Sequence, residues 1–109
     1  MTDEVALRAL VDCRVRVDVL DRRILELINE RARIVEELGR LKRQLHLPIY
    51  EPRREDEVYA NVTSHNGGPL SSEAVRRVFE RIIDEMRQVQ RERMGEERNR
   101  ASTDDERNS

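Results

Sequence analysis

The chain has 109 residues, enough for one domain but not for a large independent core; 40% are charged, 3% aromatic, and none is tryptophan. That balance suits surface-charged helices and argues against a β-sandwich or barrel. Lysine plus arginine (21) nearly matches aspartate plus glutamate (23), a formal charge of −2, so the net basic footprint of a nucleic-acid-binding domain is absent.

No run of about 18 apolar residues is present, so no membrane-spanning segment is expected. The opening Met-Thr-Asp-Glu-Val-Ala-Leu-Arg has no basic region followed by an apolar core, and a signal peptide is not expected either. A soluble, cytoplasmic protein is the expectation. The single Cys13 forms no intrachain disulfide.

After a short polar leader, one helix is expected from Leu7 to Leu45. Positions alternately three and four apart hold Leu10, Cys13, Val17, Leu20, Ile24, Leu27, Arg31, Ile34, Leu38, Leu41 and Leu45, all apolar except Arg31. This is the seam of a helix that packs along another helix, and Cys13 in it reads as a buried thiol. At ~1.5 Å per residue the rod is roughly 58 Å long, whereas a compact domain of about 100 residues has a radius of gyration near 13 Å. An antiparallel second copy is the simplest cover for the seam.

Gly39 lies inside this helix, where glycine costs ~1 kcal/mol relative to alanine. It is either tolerated there or needed for close approach to the backbone. Pro48 ends the helix at Leu45 to Leu47, and Pro48-Ile49-Tyr50-Glu51-Pro52 reads as a short extended link. Pro52 opens a second helix, about Pro52 to Val62, with Val58 and Val62 on one side. Thr63 to Pro69, containing Asn66-Gly67-Gly68-Pro69, is a turn. Ser71 is the N-cap of a third helix, with Leu70 and Val75 in staple positions and a stripe of Val75, Val78, Phe79, Ile82, Ile83, Met86 and Val89. Residues 1–94 are thus expected to form an all-α, three-helix domain that pairs with an antiparallel second copy. Residues 95–109 are expected to be a polar, disordered tail.

Several polar residues sit on or beside the apolar stripes. Arg31 occupies a seam position, where a charge is costly unless compensated, by Glu30 or Glu55 for instance. Lys42 returns to nearly the same side eleven residues later, its α-carbon ~16 Å away, so that two long side chains can converge on a small anion; a snorkelling lysine is the simpler account. Arg14 shares the stripe of Lys42 but lies ~42 Å from it along a straight helix, and can come near it only from an antiparallel second copy. Otherwise it is a solvated arginine. Arg54 and Glu55 stand on the first turn of the second helix, where they can equally be a surface pair of little energetic worth. Gln90 continues the line of Ile82 and Met86, facing either the core or the solvent at a helix end.

Together these residues describe a water-poor pocket with several cations, one carboxylate and one amide. His46 and His65 are far apart in sequence, and there is no Ser-His-Asp set, glycine-rich phosphate loop or suitably placed carboxylate pair. What fits is binding of a small dianion, or a reaction that needs only shape and electrostatics.

Leu20-Asp-Arg-Arg-Ile-Leu-Glu-Leu-Ile-Asn-Glu-Arg31, Gly39-Arg-Leu-Lys42 and Pro48-Ile-Tyr-Glu-Pro-Arg-Arg-Glu55 resemble the AroQ-type, all-helical chorismate mutases, and the similarity runs from about Leu7 to Arg93. The resemblance implies an intertwined homodimer with two equivalent sites and the rearrangement of chorismate to prephenate, a step in phenylalanine and tyrosine biosynthesis, with no cofactor or metal. It matches Arg31 and Arg14 of the partner subunit to the carboxylate-binding arginines. Lys42 matches the lysine that reaches a carboxylate and the ether oxygen, and Gln90 the donor to that oxygen. Glu55 matches the acceptor of the substrate hydroxyl, with Arg54 beside it. Glu51 falls where some members have aspartate, and Met86 where some place a serine that donates to a carboxylate. No appended regulatory or dehydratase domain is expected, although a partner enzyme could supply feedback control. Two other readings remain: an isochorismate-pyruvate lyase built on the same helices, and a non-catalytic helical dimerisation module whose charges are merely solvated.

Overall fold

The computed structural model describes residues 1–108, with side chains described through Arg93. Three helices account for it, α1 (Asp3–Gln44), α2 (Pro52–Ser64) and α3 (Ser72–Asn108), with no strand among the described residues, as the all-α expectation required. None of these helices is long and apolar enough to cross a membrane, among the described residues. The expected disordered tail over residues 95–109 falls outside the residues whose side chains are described. The chain divides into two compact units, Met1–Arg31 and Ala32–Ser109.

The first unit is the N-terminal part of α1. The helix begins at Asp3, not at Leu7: the Val5 N–H donates to Thr2 Oγ1 (3.3 Å) and the Ala6 N–H to the Thr2 carbonyl (3.0 Å). Thr2 therefore caps the helix, and Asp3 and Glu4 in the first turn suit the positive end of its dipole. The supposed polar leader is this first turn, which precedes the seam and so carries no apolar periodicity. Leu10, Val17, Leu20, Ile24 and Leu27 are 44–63% exposed in the single chain. Cys13 is exposed with them, so one chain alone does not bury the thiol.

The second unit joins the end of α1 to α2 and α3. Its core is Val35 from α1, Tyr59 from α2, and Val75, Ile83, Met86 and the amide of Gln90 from α3. On α2 the buried residue is Tyr59, with Val58 and Val62 half-buried beside it. On α3 the stripe holds at Val75, Ile83 and Met86, whereas Val78 is half exposed. Ile34, Leu38 and Leu41, the seam residues of this unit, are also largely exposed.

Both junctions follow from local chemistry. At the end of α1 the Leu47 N–H donates to the Lys42 carbonyl (2.7 Å) and the His46 N–H to the Arg43 carbonyl (3.2 Å), while His46 takes φ 56°. This is the paired-bond stop usually built on glycine, here with histidine in the left-handed position. Pro52 then starts α2 at its first turn, as read from the sequence. In the second junction Gly68 has φ +73°, and its N–H donates to Asn66 Oδ1 (3.0 Å). Ser71 caps α3 by accepting from the Ala74 N–H (3.1 Å). Leu70 is exposed while Val75 is buried, so the staple expected between them does not bury both residues.

Candidate active site

The last turn of α1 carries Lys42, whose side chain is 14% exposed. Its Nζ donates to the Ile49 carbonyl (3.1 Å) and to Gln90 Oε1 (3.3 Å), and lies 2.9 Å from Glu51 Oε1. An ammonium has three donors, and three acceptors surround it. The helix stop explains the arrangement: the Lys42 carbonyl receives the Leu47 N–H, the chain turns back, and the link passes over the same residue's ammonium.

Gln90 is 6% exposed, a buried amide on α3. Its side chain packs on the bare backbone of Gly39, where an added Cβ would lie 3.5 Å from Gln90 Cγ. Gln90 does approach Gly39, but at a spacing that also admits a Cβ, so the approach does not require glycine.

A second polar group sits between α2 and α3. Arg87 Nη2 donates to Glu55 Oε1 (3.0 Å), and Arg87 Nε lies 3.0 Å from Glu55 Oε2. Asp84 Oδ1 holds the same Nη2 at 3.0 Å, and the guanidinium lies 5.4 Å from the centre of the Tyr50 ring. Nearby, Arg76 stacks 4.2 Å over the ring of Tyr59. Burial pushes the Tyr59 phenol above its ordinary pKa; the negative charges of Glu80, Glu55 and Asp84 add to this, and Arg76 opposes it.

The residues singled out from the sequence fare differently. Lys42, Glu51 and Gln90 meet at one ammonium. Glu55 is largely buried but engages Arg87, a partner that the sequence reading missed. The signal was present, since Ile83, Arg87 and Gln90 are spaced four and three apart and so share a helical face. Met86 is buried, an apolar wall one turn before Gln90. Arg54 is 67% exposed and pairs with Glu57 (3.3 Å), whereas Glu55, the partner considered for it from the sequence, pairs with Arg87. In the first unit Arg31 is half-buried and Arg14 exposed.

Chemically, Lys42 and Gln90 offer an ammonium and an amide side by side, largely out of water. Donors placed in this way can stabilise negative charge growing on an oxygen.

The family model for chorismate mutase type II matches residues 13–91. The bifunctional chorismate mutase/prephenate dehydratase of Pseudomonas aeruginosa is 41% identical over 88 residues, covering 76% of this chain but 23% of that protein. This chain therefore spans less than a quarter of that relative's length. The chorismate mutase of Methanocaldococcus jannaschii is 27% identical over 95 residues, covering 84% of this chain and 93% of that one. Among solved structures, Form II of the chorismate mutase from Thermus thermophilus superposes with a TM-score of 0.75 at 38% identity, covering 76% of this chain and 94% of that one.

Proposed function

The chain belongs to the type II chorismate mutase family, and on that premise we propose that it converts chorismate to prephenate, on the route to phenylalanine and tyrosine, as a cytoplasmic homodimer without cofactor or metal. The observation that carries this reading is the Lys42 ammonium held against the Gln90 amide in a nearly dry setting.

The reaction is a unimolecular pericyclic rearrangement, so it requires neither a general base nor a nucleophile. The protein has to hold the substrate in a compact chair-like conformer, which is chiefly an entropic task. We assign that task to Arg31 and to Arg14 of the partner subunit, because a guanidinium fork matches a carboxylate with two bonds. As the C–O bond breaks, negative charge grows on the ether oxygen. Lys42 and Gln90 donate to it there, and a preorganised donor of this kind is typically worth ~3–4 kcal/mol. Glu55 accepts from the substrate hydroxyl, Glu51 and Arg54 flank the substrate, and Met86 contributes a wall where a serine would add a hydrogen bond. A second copy is supported by the uncovered seam of α1, whose leucines, isoleucines and valines would otherwise face water.

Incubating the purified chain with chorismate and, separately, with isochorismate tests the reading. Prephenate from chorismate is the expected result. Pyruvate from isochorismate with no prephenate from chorismate would instead make the chain a lyase. Turnover of neither substrate, with the folded state verified, would leave a dimerisation module.

A further inference from the structure

We propose that Arg87 is a positioning residue of this site: its guanidinium holds Glu55 by one hydrogen bond to Oε1 and an ion-pair contact to Oε2, and thereby aims that carboxylate at the substrate hydroxyl. The inference rests on the function proposed above and adds a residue to it.

Glu55 stands on the first turn of α2 with its side chain 17% exposed. An ionised carboxylate so far out of water needs a counter-charge. Arg87, one helix away on α3, supplies it through Nη2 on one oxygen and Nε beside the other, each at 3.0 Å. The clamp is itself held from two sides, by Asp84 on Nη2 at 3.0 Å and by the Tyr50 ring of the link at 5.4 Å. A guanidinium fixed in this way has little freedom to swing, so the plane of the carboxylate is set by α3 and the link. Each carboxylate oxygen can accept two bonds; the Arg87 Nη2 bond takes one on Oε1, while Nε lies beside Oε2 as an ion-pair contact without hydrogen-bond geometry. Lone pairs on both oxygens therefore remain for a hydroxyl donor, and the carboxylate meets that donor beside its counter-charge and already oriented. Lysine in place of Arg87 would keep the charge but lose the fork.

Arg87 acts through Glu55, so its removal matters only when there is a hydroxyl to bind. Steady-state kinetics of Arg87→Met, Arg87→Lys, Asp84→Asn, Glu55→Gln and the Glu55→Gln/Arg87→Met double variant, with chorismate and with an analogue whose ring hydroxyl is replaced by hydrogen, test this directly. With chorismate, Arg87→Met should lower kcat/KM by about 10- to 100-fold, the range for loss of a charge-assisted bond. Arg87→Lys should recover part of that loss, and Asp84→Asn should cost less than Arg87→Met. The double variant should be no slower than Glu55→Gln alone. With the dehydroxy analogue, Arg87→Met should turn over like wild type. An equal loss on both substrates, or losses that add in the double variant, would overturn the inference and leave Arg87 a structural ion pair. If Arg87→Met does not fold, Arg87→Lys and Asp84→Asn carry the same comparison: a loss confined to chorismate supports the clamp, and an equal loss on both substrates refutes it. A wild-type chain that does not convert chorismate would overturn the functional reading together with the clamp, whereas wild-type activity with additive losses overturns the clamp alone.

Discussion

The Lys42 ammonium donates to the side-chain oxygen of Gln90 across 3.3 Å. Because an ammonium only donates, the amide must turn its oxygen to Lys42, which leaves its nitrogen as the end able to donate elsewhere. The ammonium itself already faces three acceptors, the Ile49 carbonyl, Gln90 and Glu51, so a substrate oxygen has to take the place of one of them. Lys42→Ala is expected to lower kcat by about 10²–10³-fold, as loss of a preorganised donor to a developing oxyanion does. Arg54, exposed and paired with Glu57, should cost less than about tenfold when replaced by alanine. Comparable, mild losses from both in steady-state assays would contradict these roles.

Gly39 allows the approach of Gln90, yet an added Cβ would lie at 3.5 Å, an ordinary contact. Gly39→Ala should therefore fold unchanged and gain up to about 1 kcal/mol from helix propensity, read from urea unfolding. Gly39→Leu should push Gln90 away from Lys42 and lower kcat. An alanine variant as impaired as the leucine variant would show that the backbone contact is tighter than this spacing implies.

His46 holds a left-handed backbone, φ 56°, at the stop of α1. That conformation is unfavourable for a residue with a Cβ and free of that penalty for glycine. His46→Gly should raise unfolding stability by up to about 1 kcal/mol with activity preserved, the gain being partly offset by the freer unfolded chain. A destabilised His46→Gly would mean that the imidazole itself holds the link.

Tyr59 brings a pH dependence. Burial, with Glu80 and Glu55 next, raises its pKa in the folded chain. An unfolded tyrosine ionises near pH ~10, so the contribution of Tyr59 is complete below that pH and is lost as the pH climbs through the higher folded value. Melting temperatures measured from about pH 8 to about pH 11 should fall more steeply at the alkaline end for wild type than for Tyr59→Phe. Parallel curves would remove Tyr59 as a source of alkaline instability.

What was legible in the sequence was whatever repeats or punctuates. The seam of α1 is periodic, Pro52 and Ser71 mark helix starts, and Lys42 and Gln90 stand out as polar groups on apolar stripes. The start of α1 was misplaced because Thr2 caps it through one hydroxyl, which leaves no periodic trace. The Ile49 carbonyl on Lys42 depends on a turn that histidine makes in place of the usual glycine, so no turn residue announced it. Arg87 and Tyr59 were missed because their partners come from another element: Glu55 lies 32 residues before Arg87, and Arg76 reaches Tyr59 from α3. Pairing of that kind is set by how helices pack, and helical spacing alone does not encode it.

The central claim is that each site takes Lys42 from one copy and Arg14 from the other. Mixing Arg14→Ala and Lys42→Ala chains under conditions that exchange subunits measures it most directly. Each variant alone should be nearly inactive, and the mixture should regain activity, because one of the two sites in every heterodimer then holds both intact residues. Confirmed exchange without any regain of chorismate turnover would contradict the account.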